Sequence, residues 1–482
     1  MRRSPRNEGA RGLCIALVLG ALSCSAPAPR APAGDGAREL RGDAVGDSPG
    51  DGADAAPGDE PVDASVDRPD DGPTEPRLLS GQLLSRYRAR FTGGESDHDL
   101  YETLDLTVTD PEHRWSGSVL AHAAYDIDGR ASGGDPTFDL DDTYSRLAPQ
   151  LFHAYIDVAA RSFSVLRFGR QPMYETPLTL VFDGVRAELA PQGEHRYALG
   201  GFAGVGEHTY ETSHSGDAVL GGFGAFAPWS GSELRADWMH LEDERLGVDH
   251  EDDLFGLALS QDVVRADTAT RVEGRFTSIE GDGRDVRLLA SHVDSGGHWS
   301  LQGSLYHLLK TQRSLAAPLD PFSDTLFELF PFSQLGLSLT RDWRHFALLT
   351  GADVRRVSDT SDEGEFNRDF QRYYVTGSLP DALPVTVALT GEVWRATDTD
   401  YDTWGAALER ELDGGFDVTL GSNYALYEYD LFSAEERDHV RSTFVALRWK
   451  ADAARRWALR YEYEQSDLDD FQRVQLDYTW NF

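Results

Sequence analysis

The dominant pattern in the chain is a period of two. The stretch RYRARF sets Arg86, Arg88 and Arg90 on one side of an extended backbone and Tyr87, Ala89 and Phe91 on the other. SELRADWM opposes Glu233, Arg235 and Asp237 to Leu234, Ala236 and Trp238. TRVEGRFT opposes Arg271, Glu273 and Arg275 to Val272, Gly274 and Phe276, and WALRYEYE opposes Arg460, Glu462 and Glu464 to Leu459, Tyr461 and Tyr463. The chain ends the same way, with Val474, Leu476, Tyr478, Trp480 and Phe482 facing away from Gln475, Asp477, Thr479 and Asn481. One such segment says little. A succession of about 22, from 82–92 to 471–482, with almost no helical period between them, predicts an all-β domain over 77–482.

The two faces decide what kind of β domain it is. Many segments run to about ten residues or more, the length a tilted strand needs to cross a bilayer. The apolar face carries aromatic rings near strand ends, at Trp229, Trp238, Trp343, Trp449, Trp457, Tyr478 and Trp480. Such rings settle where lipid meets water. The polar face carries full charges of both signs, which face a water-filled interior at low cost and hydrocarbon only at high cost. Connections alternate too. TDPEHR, AARS, TRDW and ELDGG are short, whereas GRASGGDPTFDLDDTYSRLAPQ, KTQRSLAAPLDPFSDTLFELFP and RVSDTSDEGEFNRD are long and mostly acidic. In lipid a sheet can keep no edge, because every backbone donor and acceptor must find a partner within the protein. The last segment is therefore expected to close on the first. The prediction is a transmembrane antiparallel up-and-down β-barrel of about 22 strands, within a range of roughly 18 to 24. An even number places both termini on the short-turn side.

Composition refines this picture at the amino terminus. Residues 1–23 combine Arg2, Arg3, Arg6 and Arg11 with an apolar run from Leu13 to Leu22, as in a secretory signal. Residues 24–76 are rich in Ala, Gly, Pro and Asp and hold no aromatic residue, which predicts a disordered acidic tether on the periplasmic side. The stretch GALSC suggests lipidation of Cys24; the other reading is ordinary cleavage near Ala26, with Cys24 discarded. Lys and Arg number 45 against 82 Asp and Glu, for a net charge of -37, which argues against a nucleic-acid partner. No HExxH, GxSxG, phosphate loop or His/Cys metal spacing occurs, so neither an enzyme nor a cofactor is expected. The Asp249-His250 and Asp438-His439 neighbours are expected in loops.

With these features in place the chain resembles a Gram-negative outer-membrane β-barrel porin. The resemblance implies that the strand ending at Phe482 is read by the barrel-assembly machinery and that outer-membrane lipid and lipopolysaccharide surround the wall. Residues 151–189 are similar to a segment of alginate-export-type porins, through His153-Ala154-Tyr155, Gly169-Arg170-Gln171 and Phe182-Asp183-Gly184-Val185-Arg186. That family implies a barrel of fewer strands and passage of a polyanion past lumen arginines.

The pore-lining candidates are Arg86, Arg88, Arg90, Asp157, Arg167, Arg170, Asp183, Arg186, Arg235, Arg271, Arg275 and Arg460. Arg287 and Arg473 extend the arginine set, faced by acids such as Asp105, Glu188, Asp237, Glu273, Glu462 and Asp477. A mixed ladder of this kind either sets a transverse field or braces a wide wall. The apolar GRQPMYETPLTLVFDG segment is expected to fold into the lumen. It would form either a constriction lined by Arg167, Arg170, Asp183 and Arg186 or a strut in which Arg170 and Asp183 make a plain ion pair. Residues 319–334 are a second inward-folding candidate or, equally, an outer-surface partner patch. The expected function is a channel for a polar solute, anionic or carbohydrate, including polysaccharide. The alternative is a non-conducting scaffold that binds partners through its acidic loops and tether.

Overall fold

The computed structural model describes residues 78–92, 95–127, 147–174, 177–191, 196–207, 217–245, 248–265, 267–294, 296, 298–311, 330–362, 369–379, 385–396, 400–430, 435–466 and 470–482. The expected signal, tether and Cys24, and most of 319–334, lie outside these residues.

The described strands are β1 (Leu79–Thr92), β2 (Glu95–Thr109), β3 (Trp115–Asp126), β4 (Leu147–Val158), β5 (Phe163–Met173), β6 (Leu180–Leu189), β7 (Ala198–Gly206), β8 (Ala218–Phe226), β9 (Ser232–Arg245), β10 (Val248–Arg265) and β11 (Thr268–Ile279). They continue as β12 (Asp282–Asp294), β13 (Trp299–Leu308), β14 (Phe332–Trp343), β15 (Phe346–Val357), β16 (Phe370–Leu379), β17 (Thr386–Ala396), β18 (Asp400–Leu412), β19 (Phe416–Asp430), β20 (Glu435–Lys450), β21 (Arg455–Gln465) and β22 (Asp470–Asn481). Each pairs antiparallel with its neighbours in sequence, and β1 pairs with β22, so the 22-stranded sheet closes on itself. The expected barrel is the observed one. Its strand number exceeds what the alginate-export resemblance implied.

Closure is tight at the carboxyl terminus. The ladder runs from Gln82 opposite Asn481 to Phe91 opposite Gln472. It is extended by Gly81 N–H donating to Phe482 O at 3.1 Å and Phe482 N–H donating to Gly81 O at 3.0 Å. Gly81 makes room for this. A Cβ there would stand 2.5 Å from Asp105 O and 2.9 Å from the Phe482 ring.

The period of two now has a direction. Leu257, Leu288, Leu337, Leu389, Leu420, Leu459 and Leu476 are among the exposed large apolar residues, all on the outward parity of their strands. Aromatic pairs gather at the short-turn end: Trp457 with Tyr478 at 4.4 Å, Phe416 with Trp449 at 5.4 Å and Trp343 with Phe346 at 5.5 Å. The spacings between strands also differ by end. The longer ones, 127–146, 207–217, 309–331 and 358–369, all follow odd-numbered strands. Such asymmetry, an outer apolar band and an interfacial ring of aromatics define a bilayer-spanning barrel.

Two expectations are corrected here. Asp249-His250 and Asp438-His439 do not sit in loops; they belong to β10 and β20. Asp249 pairs with Glu244 and His250 with Asp243. β9–β10 stays paired out to Arg245 opposite Val248, and β19–β20 out to Asp430 opposite Glu435.

Aspartates pin two short turns. Asp110 accepts from Arg114 N at 3.2 Å and Arg114 Nε at 2.9 Å. Asp452 accepts from Ala454 N, Arg455 N and Arg455 Nε at 2.8–2.9 Å. The guanidinium hydrogen bonds hold both carboxyls below their ordinary range.

Two outcomes are expected. Gly81→Val overfills the closure and lowers stability by about 1–3 kcal/mol in urea unfolding. Because the folded values of Asp110 and Asp452 are lowered, their stabilisation is fully present above the ordinary aspartate value of about 3.9. It fades as pH falls through the lowered folded values. Asp110→Asn with Asp452→Asn therefore lowers the unfolding midpoint at neutral pH, and the difference from wild type closes in acid.

Candidate functional site: the inward face of the barrel

The inward parity of the wall carries arginine after arginine, each placed by the strand that holds it. On β1, Arg86 meets Asp477 of β22 at 2.9 Å, Arg88 meets Asp99 at 3.2 Å and Arg90 meets Asp97 at 2.8 Å. Tyr101 joins the Arg88–Asp99 pair by hydrogen bonds to both groups. On the neighbouring strands Arg460 meets Glu462 at 3.1 Å, and Arg473 meets Glu464 at 3.3 Å. These pairs tie β1, β2, β21 and β22 together from inside, across the seam where the barrel closes.

The next group lies on β4 to β12. Arg167 forks onto both oxygens of Asp157 at 2.8 and 2.9 Å and lies over the Tyr155 ring. Arg186 is bonded to Glu188, Arg235 reaches Asp237 at 2.7 Å, and Arg271 reaches Glu273 at 3.1 Å. Arg275 stands among Asp237, Glu273, Arg287 and Arg235. Short inward spacings of Arg and acid, two residues apart on one strand or directly across a ladder, produce this local neutralisation.

Arg170 and Asp183 do not join it. Phe168 and Val185, each one alternation away, are exposed on the outer wall, and Arg170 and Asp183 share that side. Arg170 forks onto Asp183 at 2.9 and 2.8 Å, and its Nη1 lies 2.5 Å from Glu207 Oε1 and 3.1 Å from Leu151 O. The candidate quartet of Arg167, Arg170, Asp183 and Arg186 is thus split by the wall: Arg167 and Arg186 oppose each other inside, and the other two form an outer ion pair.

The apolar segment after Arg170 is mostly hairpin. The β5–β6 ladder continues to Pro172 opposite Val181 and Met173 opposite Leu180. On the inward side Met173, Leu178, Leu180 and Phe182 join Phe202, Val219, Met239, Leu241, Leu254 and Ile279 in one buried cluster. Pro177 lies over Gly256, where a Cβ would come within 2.9 Å of it.

No family model matches the chain, and no curated protein matches it in sequence. Several solved barrels are similar in shape. The P pilus usher PapC translocation pore has 9% identity and a TM-score of 0.48, with 84% of this chain and 99% of that one covered. Pseudomonas aeruginosa OccK9 (OpdG) has 13% identity and a TM-score of 0.43, covering 84% and 98%. Acinetobacter baumannii OccAB2 has 10% identity and a TM-score of 0.39, again covering 84% and 98%. The fold of this chain stands on its own strand pairing.

A further inward band escaped the sequence reading. Tyr306, Phe332, Phe370 and Trp394 lie on β13, β14, β16 and β17, with ring centroids 5.4 Å apart for Tyr306–Phe332 and 5.1 Å for Phe370–Trp394. Arg355 is clasped between Phe332 and Phe370, 3.9 and 5.5 Å from their centroids. Arg372 lies over Trp394 and bonds Glu392 at 2.7 Å and Asp353 at 3.4 Å. Arg355 itself is only 3% exposed. Its Nε donates to Gln334 at 3.0 Å, its Nη1 has no hydrogen-bond partner, and no carboxylate pairs with it among the described residues. Consecutive arginines in VRRV hid it, since only one of the two can face inward. Also among the described residues, no group of three His, Cys, Asp or Glu is placed to hold a metal ion.

The Arg88–Asp99 pair is buried, with side chains 5% and 0% exposed. Asp99→Ala strands a buried guanidinium and is expected to cost about 3–5 kcal/mol in urea unfolding. Adding Arg88→Met to Asp99→Ala recovers most of that loss.

Proposed function

We propose that the chain is an outer-membrane channel passing a polar solute that bears an acidic group. A closed barrel with an apolar exterior and a charged interior is built to carry water-soluble material through lipid. Arg86, Arg88, Arg90, Asp157, Arg167, Arg186, Arg235, Arg271, Arg275 and Arg460 line that route. Because acids lie close to most of these arginines, they act first as braces and give the route little net sign. In this reading the tether, residues 24–76, reaches into the periplasm, and the strand ending at Phe482 is the handle for barrel assembly.

The observation that carries the acidic solute is Arg355. It is a buried guanidinium whose one hydrogen-bond acceptor among the described residues is the neutral amide of Gln334, with no carboxylate paired to it there. A buried charge without a counter-charge is costly, and an arriving carboxylate relieves that cost. Aromatic neighbours on both sides favour a solute with an apolar or ring-shaped body, which includes sugars. The likeness of 151–189 to alginate-export-type porins bears on the hairpin rather than the solute, because Arg170 and Asp183 face outward.

The test is single-channel recording in planar bilayers. The expected result is an open pore whose reversal potential in a salt gradient favours anions. Arg355→Gln lowers the anion-to-cation permeability ratio about fivefold, as for a charge contribution of about 1 kcal/mol. A silent barrel would instead support the scaffold reading, and an open pore indifferent to Arg355→Gln would remove the acidic solute while keeping the channel.

A further inference from the structure

The wall is not equally sealed all round. β4 and β5 are joined by four residue pairs only, from Ala154 opposite Arg170 to Asp157 opposite Arg167. Yet β4 runs on to Leu147 against β3, and β5 runs on to Met173 against β6. The ladder between them stops at Ala154 and Arg170, while both strands run on toward the long-loop end.

Local chemistry explains why the ladder stops. A bulge at Phe152 shifts the β3–β4 register between Leu120 and Ala121. Gly169 adopts a φ of 115°, and a Cβ there would stand 2.3 Å from Ala154 O, so only glycine fits the irregular backbone where the ladder with β4 ends. Past it comes Pro172. Val181 O accepts from Glu207 N on the β7 side, so in the β5–β6 ladder Val181 and its partner Pro172 point their backbone groups away from each other. The missing Pro172 donor therefore falls on the side facing β4, where a continued ladder would need it.

Arg170 bridges the gap. From its anchorage on Asp183 it donates to Leu151 O, a backbone acceptor on the far lip. A side chain thus stands where strand pairing has stopped. Outside, a groove of about 450 Å³ follows the outer wall through Leu83, Leu104, Ala121 and Pro149 to Leu151. Inside, Phe152 and Met173 are buried behind the lips, and Met173 belongs to the apolar cluster.

We infer that the wall opens laterally between β4 and β5, with Arg170 as the latch. A hydrocarbon chain from the outer leaflet passes through this opening to the apolar cluster inside. The occupant is an amphiphile dissolved in the membrane: the groove is mostly apolar with Glu102, His122 and Gln150 among its lining residues, the inner lip sets Phe152 and Met173 beside Gln171, and the latch supplies charges at the level of a head group. This route goes beyond the axial channel and does not depend on it.

The test uses the full chain in liposomes, with Cys14 and Cys24 replaced by Ser. Spin labels at Leu151→Cys and Val181→Cys span the gap. Labels at Ile156→Cys and Val185→Cys span the same strands where the ladder is intact. Electron-electron resonance is expected to show the first pair lengthening by about 5 Å, one strand spacing, on Arg170→Ala, with the second pair unmoved. A photoactivatable fatty acid added to the membrane should then label Phe152 or Met173 several-fold more strongly. Asp183→Asn with Glu207→Gln, which removes both carboxylates that hold the latch, serves if Arg170→Ala fails to fold. An unchanged distance in a folded latch variant, or adducts confined to outward residues such as Leu83 and Leu151, would overturn the inference. Ion conductance of the same proteoliposomes reports on the axial channel independently.

Discussion

Hydrocarbon offers a peptide group no hydrogen-bond partner, and every other feature of this protein is arranged around that constraint. Each strand must have a neighbour on both sides, so the last has to find the first. The Gly81–Phe482 contact shows how literal the requirement is: the terminal residue completes the ladder, and a missing Cβ on β1 makes space for its ring. Closure then divides space into lipid outside and an interior reached by water. From that division follow the apolar band, the aromatic ring at the short-turn end and the gathering of the arginine–acid ladder on the inward parity.

The same constraint shapes the interior. Arginines on the inner wall are held by acids on the same or the next strand, so they bind strands to one another as much as they face a solute. This accounts for a wall dense in charge that nevertheless has little local sign. Arg355 departs from the rule, and it does so within an aromatic band rather than among acids. The hairpin of β5 and β6 departs in another way. Its inner face is apolar, its outer face carries the Arg170–Asp183–Glu207 group, and its junction with β4 is the shortest in the barrel. Where backbone pairing is incomplete in a membrane, a side chain has to take over, and Arg170 does so at Leu151 O.

Much of this was legible in the residues. Strand parity placed Arg86, Arg88, Arg90, Arg235, Arg271, Arg275 and Arg460 on the inward face, because each lies within an unbroken alternation. Arg170 and Asp183 were misread because their segment looked like a loop. Counting would have found them: Arg170 is three residues from inward Arg167, Asp183 three from inward Arg186, and an odd spacing in a strand means the opposite face. Arg355 could not be found in that way, since VRRV offers two arginines of opposite parity and the choice depends on register with β14 and β16.

The sequence by itself determined that the chain is a membrane barrel, near what size, and which parity is greasy, because period, strand length and loop asymmetry are local properties that lipid enforces residue by residue. Only the tertiary structure decided which acid each arginine meets, that among the described residues one guanidinium is left with aromatic rings and an amide, and that the ladder between two neighbouring strands stops at Ala154. Those outcomes depend on register and curvature. A shift of one residue between strands turns every side chain to the other face, and nothing within a single strand records the position of its neighbour.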